Sequence, residues 1–232
     1  MRDVTTPAIR FDRRRFLLTG LGAAGGAALA ADGMSSTAFA ATPVAAAAAG
    51  QWRKKTSANG WPVLDSAPAH RVEGTGGVRF EAADGDVATV LTHVVRRFHY
   101  EIDTLGTGEV TGHTTSRTVA AAYESNHLSG TAIAIRPLLY PVRAQGGFFP
   151  PELVVVRDIL ADLEGVVKWG GDLKPAKESH FQIDVRPGDA ALRRVAAKLR
   201  GWELKPGEGA GTIEATAPAR MKAADALAAR QR

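Results

Sequence analysis

The sequence predicts an α+β domain with a small, mainly antiparallel sheet flanked by helices. Three observations carry that prediction. Apolar residues recur at three- and four-residue spacing in three separate segments, the pattern of amphipathic helices. Short apolar or alternating runs lie among them, at residues 131–136, 166–169 and 180–185, and read as strands. Helices and strands do not follow the regular β-α-β repeat that a doubly wound parallel sheet requires.

Taken in order, Val78, Arg79 and Phe80 form a short strand ahead of the Asp84-Gly85-Asp86 turn. Val87, Val90, Leu91, Val94, Val95, Phe98 and Ile102 then define a first helix, with Asp86 as its N-cap. Leu153, Val156, Ile159, Leu160 and Leu163 define a second, opened by Pro150-Pro151 and stopped by Gly165. Leu192, Val195 and Leu199 mark a third, running from about Asp189 to Gly201. Residues 41–60 are low in complexity and polar and read as a flexible linker. Residues 205–232, rich in Gly, Pro and Ala, read as a mobile tail with a short helix over 219–229. The folded unit is therefore expected over residues 61–204.

Residues 1–40 read as an export signal. Arg13-Arg14-Arg15-Phe16-Leu17 is a twin-arginine signature, followed by a weakly apolar run and by Ala38-Phe39-Ala40 as a small-x-small cleavage site. The run is short of the ~20 residues that span a bilayer and is diluted by Gly and Thr. The twin-arginine export machinery is thus an expected partner, and the destination is extracellular, cell-wall or periplasmic. The chain has no cysteine, which excludes disulfides and thiolate ligands. Its net charge of +5 falls to about +3 without residues 1–40, which hold five arginines and three aspartates. That charge is too mild to argue for nucleic acid, and no Lys/Arg cluster is interleaved with aromatics. After the signal the length suits one domain, and a monomer is expected.

Alternation along the strands places the chemistry. Phe181, Ile183 and Val185 bury one face, so His180, Gln182 and Asp184 face a groove. Ile133 and Ile135 take the core side of their strand, leaving Ala132 and Ala134 on the groove side. His127 arrives from the polar turn before that strand, so two histidines reach one point from two strand ends. His70, His93, His99 and His113 have no such context, and are read as ordinary surface or core residues.

The segment RTVAAAYESNHLSGTAIAI (117–135), the turn Trp169-Gly170-Gly171-Asp172 and the run ESHFQ (178–182) together carry a family resemblance. In that order they resemble the zinc-dependent D-alanyl-D-alanine carboxypeptidase and L-alanyl-D-glutamate endopeptidase family, related to the zinc domain of hedgehog proteins. The resemblance covers about residues 87–200. It implies a hedgehog/D-Ala-D-Ala-peptidase-like fold, bound Zn2+, and peptidoglycan stem peptides as substrate. By position it implies His127 and His180 as metal ligands and Arg117 as the group that holds substrate or stabilises the oxyanion. Ser125 and Gln182 join Arg117 as substrate-side positions, and Glu178 becomes the general base.

Two positions depart from the family pattern. Its third ligand is an Asp seven residues after the first His, where this chain has Ala134. Its acidic base stands three residues before the second His, where this chain has Lys177, with Glu178 one position later. Asp184 lies about 13 Å along the strand from His180, too far to ligate the same metal. Glu124, Glu178 and His113 are the remaining candidates for a substitute ligand. Three readings follow: an exported metallopeptidase acting on stem peptides by the family's mechanism, a degenerate domain that binds cell-wall peptides or partners without turnover, or an active branch with a rearranged site and a substitute ligand.

Overall fold

The structure is a computed structural model, which describes residues 49–205 and 207–231. The export signal expected over residues 1–40 lies outside the described residues, as do residues 41–48. The described chain is α+β, with small antiparallel sheets flanked by helices.

The strands are β1 (Gly50–Gln51), β2 (Ala69–Arg71), β3 (Arg79–Glu81), β4 (Val110–Thr111), β5 (Thr118–Val119), β6 (Ala132–Ile135), β7 (Val167–Trp169) and β8 (His180–Ile183). The helices are α1 (Asp86–Glu101), α2 (Pro150–Asp162), α3 (Ala190–Glu203) and α4 (Pro218–Gln231). The central sheet has the order β4-β6-β8-β7, with every neighbouring pair antiparallel. Two-stranded ribbons, β1-β5 and β2-β3, complete the set.

Why these residues form these elements is largely a matter of ends and faces. Gly85 precedes α1 at φ 74°, a conformation that a residue with a Cβ rarely adopts. Gly85 is therefore the N-cap rather than Asp86, which sits in the first turn of α1 and pairs with Arg200 of α3 at 3.0 Å. A carboxylate there still meets the positive end of the helix dipole. Pro150 and Pro151 open α2, where their missing N–H groups cost nothing. Glu152 accepts the Phe149 N–H at 2.7 Å. Glu164 at φ 55° and Gly165 at φ 87° then turn the chain into β7. Asp189 caps α3, accepting the Ala191 N–H at 2.7 Å.

One face of the sheet presents Ile133, Ile135, Phe181 and Ile183 to the apolar stripe of α1, Val87 to Phe98, while Val167 and Trp169 of β7 join the same core beside α2. Burying these side chains is the main favourable term for the fold, worth about 1.5–3 kcal/mol for each large one. Helix α1 packs on α3, and α2 packs on α1 and α4. Under the helices lies Arg97, with no exposed surface, donating to Glu101, Asp158 and Asp162 at 2.5–2.7 Å. Arg220 of α4 closes on the same two aspartates at 2.7 and 2.8 Å.

Both flanks differ from what the composition predicts. The flexible linker expected over 41–60 is, from residue 50 onward, part of the fold. Gln51 pairs with Thr118 in the β1-β5 ribbon, and Trp52 N–H donates to Arg117 O at 2.8 Å. Asn59 Nδ2 donates to Thr131 Oγ1 and to Ile183 O, both at 2.8 Å. These bonds replace water around a segment that carries little apolar surface of its own. The expected tail contains the 14-residue helix α4, whose Ala224, Leu227 and Ala228 are buried. Its apolar face is narrow, and the Arg220 ion pairs add what that face lacks.

Candidate functional site

The two histidines that the strand pattern singles out meet behind the sheet face away from α1. His180 begins β8 and lies directly opposite Ala134 of β6. His127 ends a short 3-10 turn, Ala122–His127. That turn is held from below: Ser125 Oγ donates to Ala122 O at 2.7 Å and accepts the Ala58 N–H at 2.9 Å. Gly130, at φ 64°, lets the chain pass so close to Ala83 that a Cβ would sit 2.6 Å from its backbone nitrogen.

The Trp169-Gly170-Gly171-Asp172 turn sets where β8 starts. A Cβ at Gly170 would fall 2.2 Å from Lys177 O, so only glycine permits this approach. Lys177 N–H donates to Gly170 O, and His180 N–H donates to Lys177 O, both at 2.9 Å. Asp172 is fixed by Arg157 of α2, which lies 5.0 Å over the Trp169 ring. The turn is therefore an anchor for the second histidine and holds no reactive group itself.

Hydrogen bonding fixes the protons on both rings. His127 Nδ1 is 2.8 Å from Gly112 O, an acceptor, so Nδ1 carries the proton and Nε2 is a lone pair. The second ring is set through a longer chain. The Asp184 carboxylate can only accept, so it takes a hydrogen from Gln182 Nε2 at 3.0 Å. That turns Gln182 Oε1 towards Asn126 Nδ2 at 2.8 Å and His180 Nε2 at 3.0 Å. His180 Nε2 must then donate, which leaves Nδ1 as its lone pair.

The two lone pairs face each other, His127 Nε2 to His180 Nδ1, at 3.2 Å. No hydrogen bond joins them in these tautomers. Protonating either ring is opposed: burial, then the charge of Lys177, pushes His127 down to about 4. Burial, followed by His127 itself, holds His180 well below its ordinary value. Two neutral imidazoles this close could supply two nitrogen ligands to a metal ion. Zinc–nitrogen bonds of about 2.05 Å give a tetrahedral edge of about 3.3 Å, close to the observed separation.

The remainder of a catalytic zinc centre is missing from this chemistry. Among the described residues no group of three or more His, Asp or Glu is placed to hold a metal. Ala134 offers only a methyl beside His180. His127 and Ala134 line an open cleft of about 690 Å3, together with His113, Glu124 and Lys177. His113 Nε2 donates to Leu64 O at 3.0 Å. Glu124 is tied to Lys177 at 2.6 Å and accepts the Ala120 N–H at 2.6 Å. Burial disfavours its charge, but the Lys177 ion pair and the backbone N–H groups prevail and hold it below the ordinary carboxylate range.

Several expected roles fall to other tasks. The Glu178 carboxylate accepts the N–H groups of Gly146 and Gly147, each at 2.8 Å, and is absent from the cleft lining. It anchors a loop, and the general-base assignment is corrected on that ground. Arg117 donates through Nη1 to Trp52 O at 3.3 Å and Lys54 O at 3.1 Å, which ties down the β1 segment, and it too is outside the cleft. Ser125 has no exposed surface and supports the turn rather than touching a substrate. Gln182 orients His180, and its exposed edge belongs to a separate small cleft with Asn59 and Arg186. Tyr123, whose ring lies 4.9 Å from that of His180, was not singled out by any sequence pattern. Nor was Asn59, because a single Asn in a polar stretch carries no signal. Gln182 could have been found, since it alternates with His180 and Asp184 on one strand face. Comparisons with protein-family models, with curated proteins and with solved structures found no match to this chain.

Proposed function

We propose that this chain is an exported, zinc-peptidase-like domain that binds peptidoglycan stem peptides at a two-histidine metal centre and does not hydrolyse them. The hedgehog/D-Ala-D-Ala-peptidase-like architecture belongs to this proposal and rests on the motif resemblance. One observation supports the metal centre above all: the converging lone pairs of His127 and His180, each fixed by a hydrogen bond behind it. The same rings would hold Zn2+, which would supply Lewis acidity beside His127, the one of the two that lines the cleft. The binding reading is favoured over turnover because, among the described residues, the carboxylates nearest the two histidines are already engaged. Lys177 stands where the family carries its base, Glu178 is fixed to Gly146 and Gly147, and Glu124 is held by a cation.

The test uses the purified full chain. Zinc is expected to bind one per chain, and His127→Ala to abolish it. A muropeptide with a D-Ala-D-Ala terminus is expected to bind the zinc-loaded protein and to be recovered intact by mass spectrometry. Release of D-Ala, or cleavage within the stem, would overturn the non-hydrolytic reading. A failure to take up zinc would overturn the metal centre itself.

A further inference from the structure

The fold sets two arginines against each other beside the open cleft. Arg71 of β2 and Arg79 of β3 are direct cross-strand partners. Val72 N–H donates to Val78 O at 2.9 Å, so alternation along the ladder makes Arg71–Arg79 a non-hydrogen-bonded pair. That is the closer kind, with Cα atoms about 4.5 Å apart. Phe80 is buried, which turns Arg71, Arg79 and Glu81 to the opposite face of the ribbon. Like charges directly opposite each other destabilise such a ribbon. Elsewhere the arginines of this molecule grip carboxylates: Arg97 holds Asp158 and Asp162, Arg136 holds Glu109, and Arg157 holds Asp172. Among the described residues, the guanidinium groups of Arg71 and Arg79 have no ion pair or hydrogen bond. Glu81, on the same face, stands opposite Ala69 rather than either arginine. A pair that costs the ribbon stability and gains no partner within the chain points to an anion from outside it.

The cleft gives that anion a place and limits its charge. Arg79 is exposed and lines the cleft with Glu81, Thr107, Thr111 and Ser116, whose hydroxyls suit peptide N–H and C=O groups. Arg71 is exposed just outside the lining. His127 is near: Glu81 O accepts the His113 N–H at 2.6 Å, and Gly112 O is 2.8 Å from His127 Nδ1. Arg79 stands two residues, about 7 Å, further along β3 from Glu81. A peptide that reaches His127 can therefore set a charged group at the arginines. Two planar guanidinium forks match the paired oxygens of a carboxylate. Glu81 and Glu124 line the same cleft and repel a multiply charged anion, so a single carboxylate suits it better than a polyphosphate or nucleic acid.

We infer that Arg71 and Arg79 form a carboxylate subsite on the β3 side of the cleft, and that they select peptides with a free carboxylate at that point. The inference rests on the cleft being the peptide site proposed above, and it needs no metal. A terminal carboxylate and an acidic group within the stem offer the same chemistry.

The experiment measures the affinity of the full chain for a muropeptide ending in D-Ala-D-Ala, by calorimetry with zinc held constant. Arg71→Met and Arg79→Met are each expected to weaken binding by about 10-fold, the loss of a hydrogen bond to a charged group. Arg79→Lys keeps the charge but loses the fork, and should restore little of that loss. Arg53→Met removes an exposed charge outside the cleft and should leave the affinity unchanged. The urea midpoint of Arg71→Met and Arg79→Met should hold or rise, because a like-charge contact is relieved. A fall would mean that the arginines serve the fold, and would overturn the inference. Two amidated ligands identify the source, one capped at its terminus and one at the acidic group within the stem. The amide that loses the same factor, and no longer responds to Arg79→Met, marks the carboxylate that is bound. Amides that both bind like the parent, or a parent that ignores the arginine substitutions, would overturn the subsite and leave the peptide site standing. A parent that does not bind the wild type would overturn the peptide site itself, and the subsite with it.

Discussion

At the scale of single residues, the nitrogens that His127 and His180 turn towards each other are set by hydrogen bonds on the far side of each ring. Asp184 turns Gln182, and Gln182 turns His180; the Gly112 carbonyl does the same for His127. Outer-shell hydrogen bonds of this kind typically change metal affinity 10- to 100-fold when removed. Gln182→Met keeps the volume but leaves His180 Nε2 without its acceptor, so Nδ1 is no longer held as a lone pair. Zinc affinity is expected to fall by about 10- to 100-fold, with the folded state retained. Nitrogen-15 imidazole spectra of the metal-free protein should show His180 moving from the Nε2–H tautomer to a mixture. Unchanged spectra together with unchanged affinity would remove Gln182 from the site. The meeting of His127 and His180 was legible in the sequence, because both sit where a polar turn or strand end faces away from alternating apolar residues. Which nitrogen each presents was not, because that depends on a carbonyl 15 residues away and on a side chain relayed through another.

At the scale of elements, Glu178 separates a structural role from a catalytic one. Its two oxygens receive the N–H groups of Gly146 and Gly147, and its backbone carbonyl receives Trp169 Nε1 at 2.7 Å. It joins the loop after β6 to the start of β8. Glu178→Ala would leave two loop N–H groups without their acceptor, a loss of about 1–3 kcal/mol. The urea midpoint should fall accordingly while zinc affinity stays within twofold. Unchanged stability would mean that the loop is not held this way. Elements were readable where periodicity had room to repeat. The helices α1, α2 and α3 and the strands β6, β7 and β8 appear close to where their apolar spacing puts them. The ribbons β1-β5 and β2-β3 were not readable apart from the strand at Phe80. Two or three residues cannot display a period, and their pairing is decided by partners distant in the chain. For the same reason residues 50–60 looked like a linker: Asn59 is held by side-chain hydrogen bonds to Thr131 and Ile183 O, and Trp61 by one to Val185 O together with packing on the core, none of which forms a periodic pattern.

At the scale of the whole molecule, stability and the proposed metal binding are joined through histidines buried without their charge. His127 is pushed down to about 4 by burial and then Lys177, and His180 lies well below its ordinary value for related reasons. His93 is also lowered by burial, with Asp162, 3.8 Å from its Nε2, opposing that shift. Each of these groups has a folded-state pKa below its unfolded value of 6.5. Between the two values the unfolded chain binds the proton and the folded chain does not. Above pH 6.5 neither state is charged at these sites and they contribute no pH dependence. As pH falls below 6.5, protons favour the unfolded state and stability declines. For His127 alone, a shift from 6.5 to about 4 removes about 2 kcal/mol by pH 5. Chelator-treated protein should therefore show a urea midpoint that is flat above pH 7 and drops steeply towards pH 5. His127→Gln, which keeps a donor for Gly112 O but cannot charge, should recover about that 2 kcal/mol share of the loss. Zinc at 100 times its dissociation constant should stabilise the neutral-pH protein by about 2.7 kcal/mol. That gain should persist to about pH 5 and shrink only as pH approaches 4, where protons compete with metal for the lone pairs of the folded chain. A metal-free midpoint that stays level from pH 7.5 to 5 would mean that the three rings are not buried neutral, and the proposed His127–His180 donor set would fall with them.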